Sequence, residues 1–359
     1  MRSLLLLLTF SLAFLQIQAQ GLSLDEETVD LETLYQQLDE AISRSPQYIA
    51  EREGKITACR ESYLRETDQA QRLQMAEKLF RLYQPYRNDS ALHYIEQCIS
   101  LAESLRRPDL VGRYRSLLAF QCSNTDKNAE SIEQLRLVDR SALDQKGLED
   151  YYNAWMHVYG ELASYTQRET VRQTYFDRQN LYRDSVMMVV SEGDDDWYHL
   201  KMDILSAQRQ FQEALSVSNR WLKRVTDGTH ESAYAAFFRS VCYDHLNNHK
   251  LAHYWLGKSA LDDIQCAVMD QASLLFLAEH LANDGDLNRA ERYLAFARTC
   301  NTTFRPQMRA YQFDPVVNVI EKSRDAGQTH SFPVLIIVGA ILIFLLLLAL
   351  ILMIRKKRK

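Results

Sequence analysis

Apolar positions recur along the middle of this chain with a helical period, and the same stripe returns at a fixed interval. Ala214, Ala252 and Ala290 are spaced 38 residues apart, twice. Phe211, His249 and Leu287 stand three before them, Ser218, Leu256 and Leu294 four after, and Trp221, Ser259 and Ala297 seven after. Spacings of three, four and seven put these side chains on one helix face. Leu205, Tyr243 and Leu281 lie nine before each Ala, across a polar or Gly-containing turn at 208–210, 247–248 and 284–285. Each unit predicts an antiparallel helical hairpin with a small residue at the crossing, where a larger side chain would hold the backbones apart. Fainter units pair Leu79 and Leu82 with Ala91 and Ile95, Leu118, Ala119 and Cys122 with Ser131 and Leu135, and 151–165 with 175–190. Residues 31–65 read as one or two amphipathic helices, and 304–325 could cap the other end.

The repeat resembles the tetratricopeptide (TPR) repeat. The third unit matches best, with Leu274, Leu277, Ala278 and Leu281, then Gly285, Leu287, Ala290, Leu294 and Ala297. Lys201 and Arg239 stand where Leu is usual, the Pro that usually ends the second helix is absent, and the period exceeds the usual 34 or so, which implies longer helices or loops. The expected fold is all-α: a TPR-like helical-hairpin solenoid over 71–325 behind an N-terminal helical cap at 20–70, because a terminal unit cannot bury its face alone.

Two apolar runs break the periodicity. Residues 1–19 have a basic Arg2, an apolar stretch from Leu4 to Leu15 and a small-residue site ending at Ala19, the pattern of a secretory signal peptide. Residues 332–354 carry no charge and, as a helix of about 1.5 Å per residue, are long enough for a hydrocarbon core of about 30 Å. A linker at 326–331 precedes this expected transmembrane helix, and the basic tail 355–359 marks the cytoplasmic side. The expected topology is a single span with the body outside.

The run Leu79-x3-Tyr83-x2-Tyr86-x2-Asp89-Ser90-Ala91-Leu92-x-Tyr94, with Arg44-x3-Tyr48 and Ile56, resembles a bacterial family of TPR-type, single-span membrane proteins catalogued as a domain of unknown function. Longer members continue into a cytoplasmic coiled coil and a DNA-binding segment and are labelled transcriptional regulators. The resemblance implies an inner-membrane protein with a periplasmic body. This chain stops five residues after the expected span, so the resemblance implies the sensor or receptor part of a regulator without its cytoplasmic output.

Composition narrows the chemistry. Gly 11 and Pro 6 in 359 residues are too few for turn-rich β folds or phosphate-cradling loops. The formal charge of −5 averages unlike parts: without Arg2 and the five terminal cations, 36 Lys and Arg face 47 Asp and Glu. So acidic a body does not suit nucleic acid. The six Cys lie among apolar neighbours without zinc spacing and read as small buried hydrophobes, their pairing open. His245, His249 and His253 are separated by a turn, so no metal is expected. Residues 192–196 read as an exposed turn with Asp196 capping the next helix, and Asp89 or Ser90 as the cap of a helix starting at Ala91. With no catalytic motif, no enzyme activity and no cofactor are expected.

A recognition surface is the better candidate. The repeat register places His199, Asp203, Tyr234, Phe237, Asp244 and Glu279 on the concave wall, with Arg113 and Phe120 at matching places in an earlier unit. Aromatic and acidic groups together suit a protein or peptide ligand that is extended or cationic. Signalling through the membrane would need a homodimer or a partner. The alternative function is a membrane-tethered scaffold for an envelope complex.

Overall fold

The computed structural model describes residues 29–304, 313–314 and 316–324. The expected signal peptide, linker, span and tail lie outside them, and among the described residues no helix is long and apolar enough to cross a membrane. The described secondary structure is helical. A long α1 (Leu31–Arg65) precedes six hairpins: α2 (Gln69–Tyr83) with α3 (Asn88–Ser104), α4 (Pro108–Ser123) with α5 (Asn128–Arg136), α6 (Gln145–Tyr165) with α7 (Glu169–Val189), α8 (Asp195–Ala207) with α9 (Phe211–Leu222), α10 (His230–His245) with α11 (His249–Gln265), and α12 (Ala272–Asn283) with α13 (Leu287–Phe304). Every hairpin anticipated from the apolar stripes is present.

Four of the six hairpins share one turn. Asp126, Arg209, Asn247 and Gly285 each follow a first helix with φ between 57° and 90°. In each case the next backbone N–H reaches back to a carbonyl near the helix end: Lys127 to Cys122, Gln210 to Leu205, Asn248 to Tyr243 and Asp286 to Leu281, at 2.8–3.2 Å. This is a left-handed helix stop, which satisfies carbonyls the helix leaves open. The small crossing residues Ala214, Ala252 and Ala290 are buried, as are Ala91 and Ser131 in the fainter units. Ser131 Oγ donates to Ala119 O at 2.8 Å, so a hydroxyl fits this crossing without an unmade bond.

Two of the expected caps differ. The helix after Tyr86 begins at Asn88, not Ala91, and neither Asp89 nor Ser90 is its cap. Asn88 is buried and accepts from Gln121 Nε2 at 2.7 Å, so it serves tertiary packing. Asp196 lies inside the first turn of α8, whose cap position is Asp194. It reaches Lys146 Nζ of α6 at 3.2 Å instead.

The array does not stay open. Helix α1 is continuous over 35 residues with Pro46 inside it. Its first half places Leu34, Tyr35, Leu38 and Ala41 in a cluster with Leu256, Leu274, Tyr293 and the C-terminal Val316 and Ile320. Its second half places Ile56, Cys59 and Tyr63 against Leu73, Leu79 and Ile95 of the first hairpin. One helix thus ties the last units to the first. Arg52 sits at the junction: it donates to Leu82 O at 2.7 and 3.1 Å and to Cys266 O at 2.6 Å. The turns meet directly, Met269 N donating to Pro85 O at 2.8 Å. Gly257 of α11 lets α1 this close, since a Cβ there would stand 2.8 Å from Leu34 Cδ2.

The six thiols are free, five of them buried. Burial pushes Cys122, Cys242 and Cys266 up to about 11 and Cys300 to about 12. They pack as small, unreactive hydrophobes.

Candidate recognition surface

The first helices α8, α10 and α12 carry a file of rings. His199 of α8 lies 5.5 Å from Tyr234 and 5.0 Å from Phe238 of α10. Phe237 packs on Phe276 of α12 with centroids 6.2 Å apart and the rings inclined by 30°. His230 closes on Tyr234 at 4.5 Å. Tyr234 and Phe276 are 44% and 39% exposed, unusual for large apolar rings, so the file presents an amphipathic surface to solvent.

The surroundings push the two imidazoles in opposite directions. Burial pulls His199 below its ordinary pKa against the opposing charges of Asp203 and Asp196, and it is neutral near pH 7. Burial also pulls on His230, but the hydrogen bond and charge of Asp263 outweigh it and hold its pKa above the ordinary value. Its Nδ1 is 2.7 Å from Asp263 Oδ1.

Of the expected residues, His199, Tyr234 and Phe237 come together. Asp203 flanks them and forms an ion pair with Arg183 of α7 at 3.5 Å. Asp244 lies further along α10 at the turn, 3.5 Å from His249 Nδ1. Glu279 is half-buried on α12, one turn beyond Phe276. Arg113 is elsewhere and committed: it donates to Asp150 at 2.9 Å and Glu77 at 3.1 Å, beneath a surface it was expected to line. Tyr114 OH donates to the same Glu77 at 2.8 Å, so this network joins α2, α4 and α6. Phe120 packs on His157 at 4.3 Å, away from the file.

The register reading passed over Phe238, Phe276 and His230. Phe276 stands one 38-residue period after Phe238 and could have been found from that spacing. His230 had no such signal, because its place depends on Asp263 of a different helix.

The three histidines 245, 249 and 253 fall on two helices, with Asn247 turning the chain at φ 57° between them. His245 stacks on Phe211 at 4.6 Å, and His253 meets Tyr35 OH at 3.4 Å. Among the described residues no group of His, Cys, Asp and Glu is arranged to hold a metal.

No curated protein matches the chain. Residues 42–315, more than half of it, match the family described as the SusR N-terminal TPR domain.

Proposed function

The chain belongs to the SusR N-terminal TPR domain family, a non-catalytic module of a regulator, and from that premise we propose that it is the recognition part of a membrane-anchored sensor. The observation that carries this reading is the ring file across α8, α10 and α12, with the half-buried Asp203 beside it and Asp244 further along α10. Aromatic rings supply contact area at low entropic cost, and acids at the margin select for basic residues. The ligand is a protein or peptide segment that is extended and carries basic and apolar side chains. The body lies on the periplasmic side of a bacterial inner membrane, held by the apolar run 332–354, and the basic 355–359 face the cytoplasm. Ligand binding shifts packing between hairpins and is passed on through a homodimer or a membrane partner.

A synthetic peptide array read with the purified chain tests this. Peptides alternating basic and apolar residues should be retained, and Tyr234→Ala and Phe276→Ala should each weaken them by about tenfold or more. Equal retention of acidic peptides, or indifference to both substitutions, would remove the reading. A scaffold would instead appear, on crosslinking in cells and mass spectrometry, as a stoichiometric complex independent of any ligand.

A further inference from the structure

Helix α1 is docked at two places. Leu34, Tyr35, Leu38 and Ala41 are buried with the last hairpins, and Ile56, Cys59 and Tyr63 with the first. No residue between Ala41 and Ile56 is buried, and the exposed Pro46 lies in that interval. Proline brings no N–H, so the helix lacks one hydrogen bond there and bends more easily than elsewhere. The first half of α1 can therefore move while the second stays in place.

Two imidazoles lie beneath that first half. His253 of α11 is 6% exposed, and its ring centroid is 5.0 Å from that of the half-buried His280 of α12. Tyr35 of α1 covers His253, with its OH 3.4 Å from Nδ1. With the hydroxyl donating, the neutral ring accepts at Nδ1 and carries its proton on Nε2. A second proton removes that acceptor. On the other side of Tyr35, Arg289 of α13 lies over the ring at 4.7 Å and pairs with Glu32 and Asp286.

The charges around His253 do not offset its burial. Asp284 Oδ2, at the end of α12, is 3.8 Å from Nδ1, but its side chain is 65% exposed, where solvent screens it. Asp244 and His249, at the turn before α11, face each other at 3.5 Å. Burial pulls His253 below its ordinary pKa; His280 and His249 add to this, and Asp284 and Asp244 oppose it. The docked state thus holds the proton less tightly than a state with α1 lifted away, and acid favours lifting. Returning one imidazole to an ordinary pKa of about 6.5 favours the lifted state by at most about thirtyfold at pH 5.

We propose that the first half of α1 is an acid-released latch: protonation of His253 frees 31–45 from the last two hairpins, turning at Pro46, while 56–65 stay on the first hairpin. Release uncovers Leu256 and Leu274 and takes one wall from Val316 and Ile320, which precede the apolar run 332–354. One proton is taken from solvent and no covalent bond between heavy atoms changes. The latch operates without the ring file, so it stands or falls apart from any ligand there.

The test is hydrogen exchange of the full chain at about pH 7.5 and about pH 5, expressed as protection factors so that the intrinsic pH dependence of exchange cancels. Protection of 31–45 should fall by about tenfold at the lower pH, and that of 56–65 should change by less than about twofold. His253→Gln and His253→Met cannot titrate, one polar and one apolar. Each should keep 31–45 protected at the higher pH and abolish the acid response, and either one that folds is sufficient. The proposal is overturned by no fall in 31–45 at the lower pH, by an equal fall in 56–65, or by an acid response that persists in either variant.

Discussion

Arg239 shows how far one side chain can depart from its expected part. It occupies a position where the repeat usually has Leu, and it is 1% exposed. It donates to Asn219 Oδ1 at 2.6 Å and Tyr243 OH at 3.1 Å, and its plane covers the Tyr243 and Trp255 rings. Its aliphatic stem packs like the missing Leu while the fork satisfies polar groups a Leu would strand. Arg239→Ala should cost about 3 kcal/mol in urea-unfolding stability, the cavity and the stranded partners together. His230 makes a pH-dependent contribution. Its folded pKa lies above the unfolded value, so while Asp263, itself raised by burial, stays ionised, the His230–Asp263 pair stabilises fully below about pH 6.5, and this stabilisation is lost as pH rises through the folded value of His230. Urea midpoints measured from about pH 5 to about pH 9 should fall in that interval, and His230→Gln should flatten the fall. Neither role was legible in the sequence: Arg239 read as a lapse in the repeat, and His230 is given meaning only by a partner 33 residues away.

The hairpin was the most legible unit, because spacings of three, four and seven and a buried small residue are local requirements of two helices crossing. Its left-handed turn, where present, was legible except at Arg209. Gly285, Asn247 and Asp126 suit a left-handed position; Arg209 adopts the same backbone without advertising it. For Arg209 the crowding of Cβ against the carbonyl is a standing cost. Arg209→Gly should therefore raise stability by about 0.5–1 kcal/mol, read as a shift in the thermal midpoint, whereas the same change at Asp126 also alters an acidic surface. The joint between α6–α7 and α8 follows another logic. Few apolar groups meet there, with Val186, Val190 and Leu200 the buried ones. Lys146 compensates by gathering Glu149, Asp150 and Asp196 from the two sides. Helix α7 buries only Val186, leaving Leu181 and Met188 exposed. Met188→Ser should accordingly leave the thermal midpoint nearly unchanged, within about 0.5 kcal/mol. The aromatic file was partly legible for the same reason as the hairpin: His199, Tyr234 and Phe237 follow the repeat, whereas Arg113 follows it and is diverted by Asp150 and Glu77.

For the whole molecule, the sequence pattern was least informative. A repeat implies a row in which each unit leans on its neighbours. The closure through α1 breaks that rule, and it is written in contacts hundreds of residues apart, such as Arg289 with Glu32 at 2.9 Å and Arg292 with Asp39 at 3.1 Å. No local periodicity could announce them. Arg52→Ala removes the bonds to both Leu82 O and Cys266 O, and should cost about 2–3 kcal/mol. Hydrogen exchange should show protection falling together in α2 and α11, two helices that are remote in sequence; loss in α2 alone would mean the ends are independent. The closure also sets an order of events during synthesis. Leu34, Tyr35 and Leu38 leave the ribosome early, yet the surfaces that cover them, from Leu256 to Tyr293, arrive more than 200 residues later. At about 5–20 residues per second, that half of α1 waits roughly 10–40 s with an uncovered apolar face. A nascent chain of this protein is thus a client for holding chaperones until its last hairpins emerge, and truncation near residue 250 would leave it permanently so.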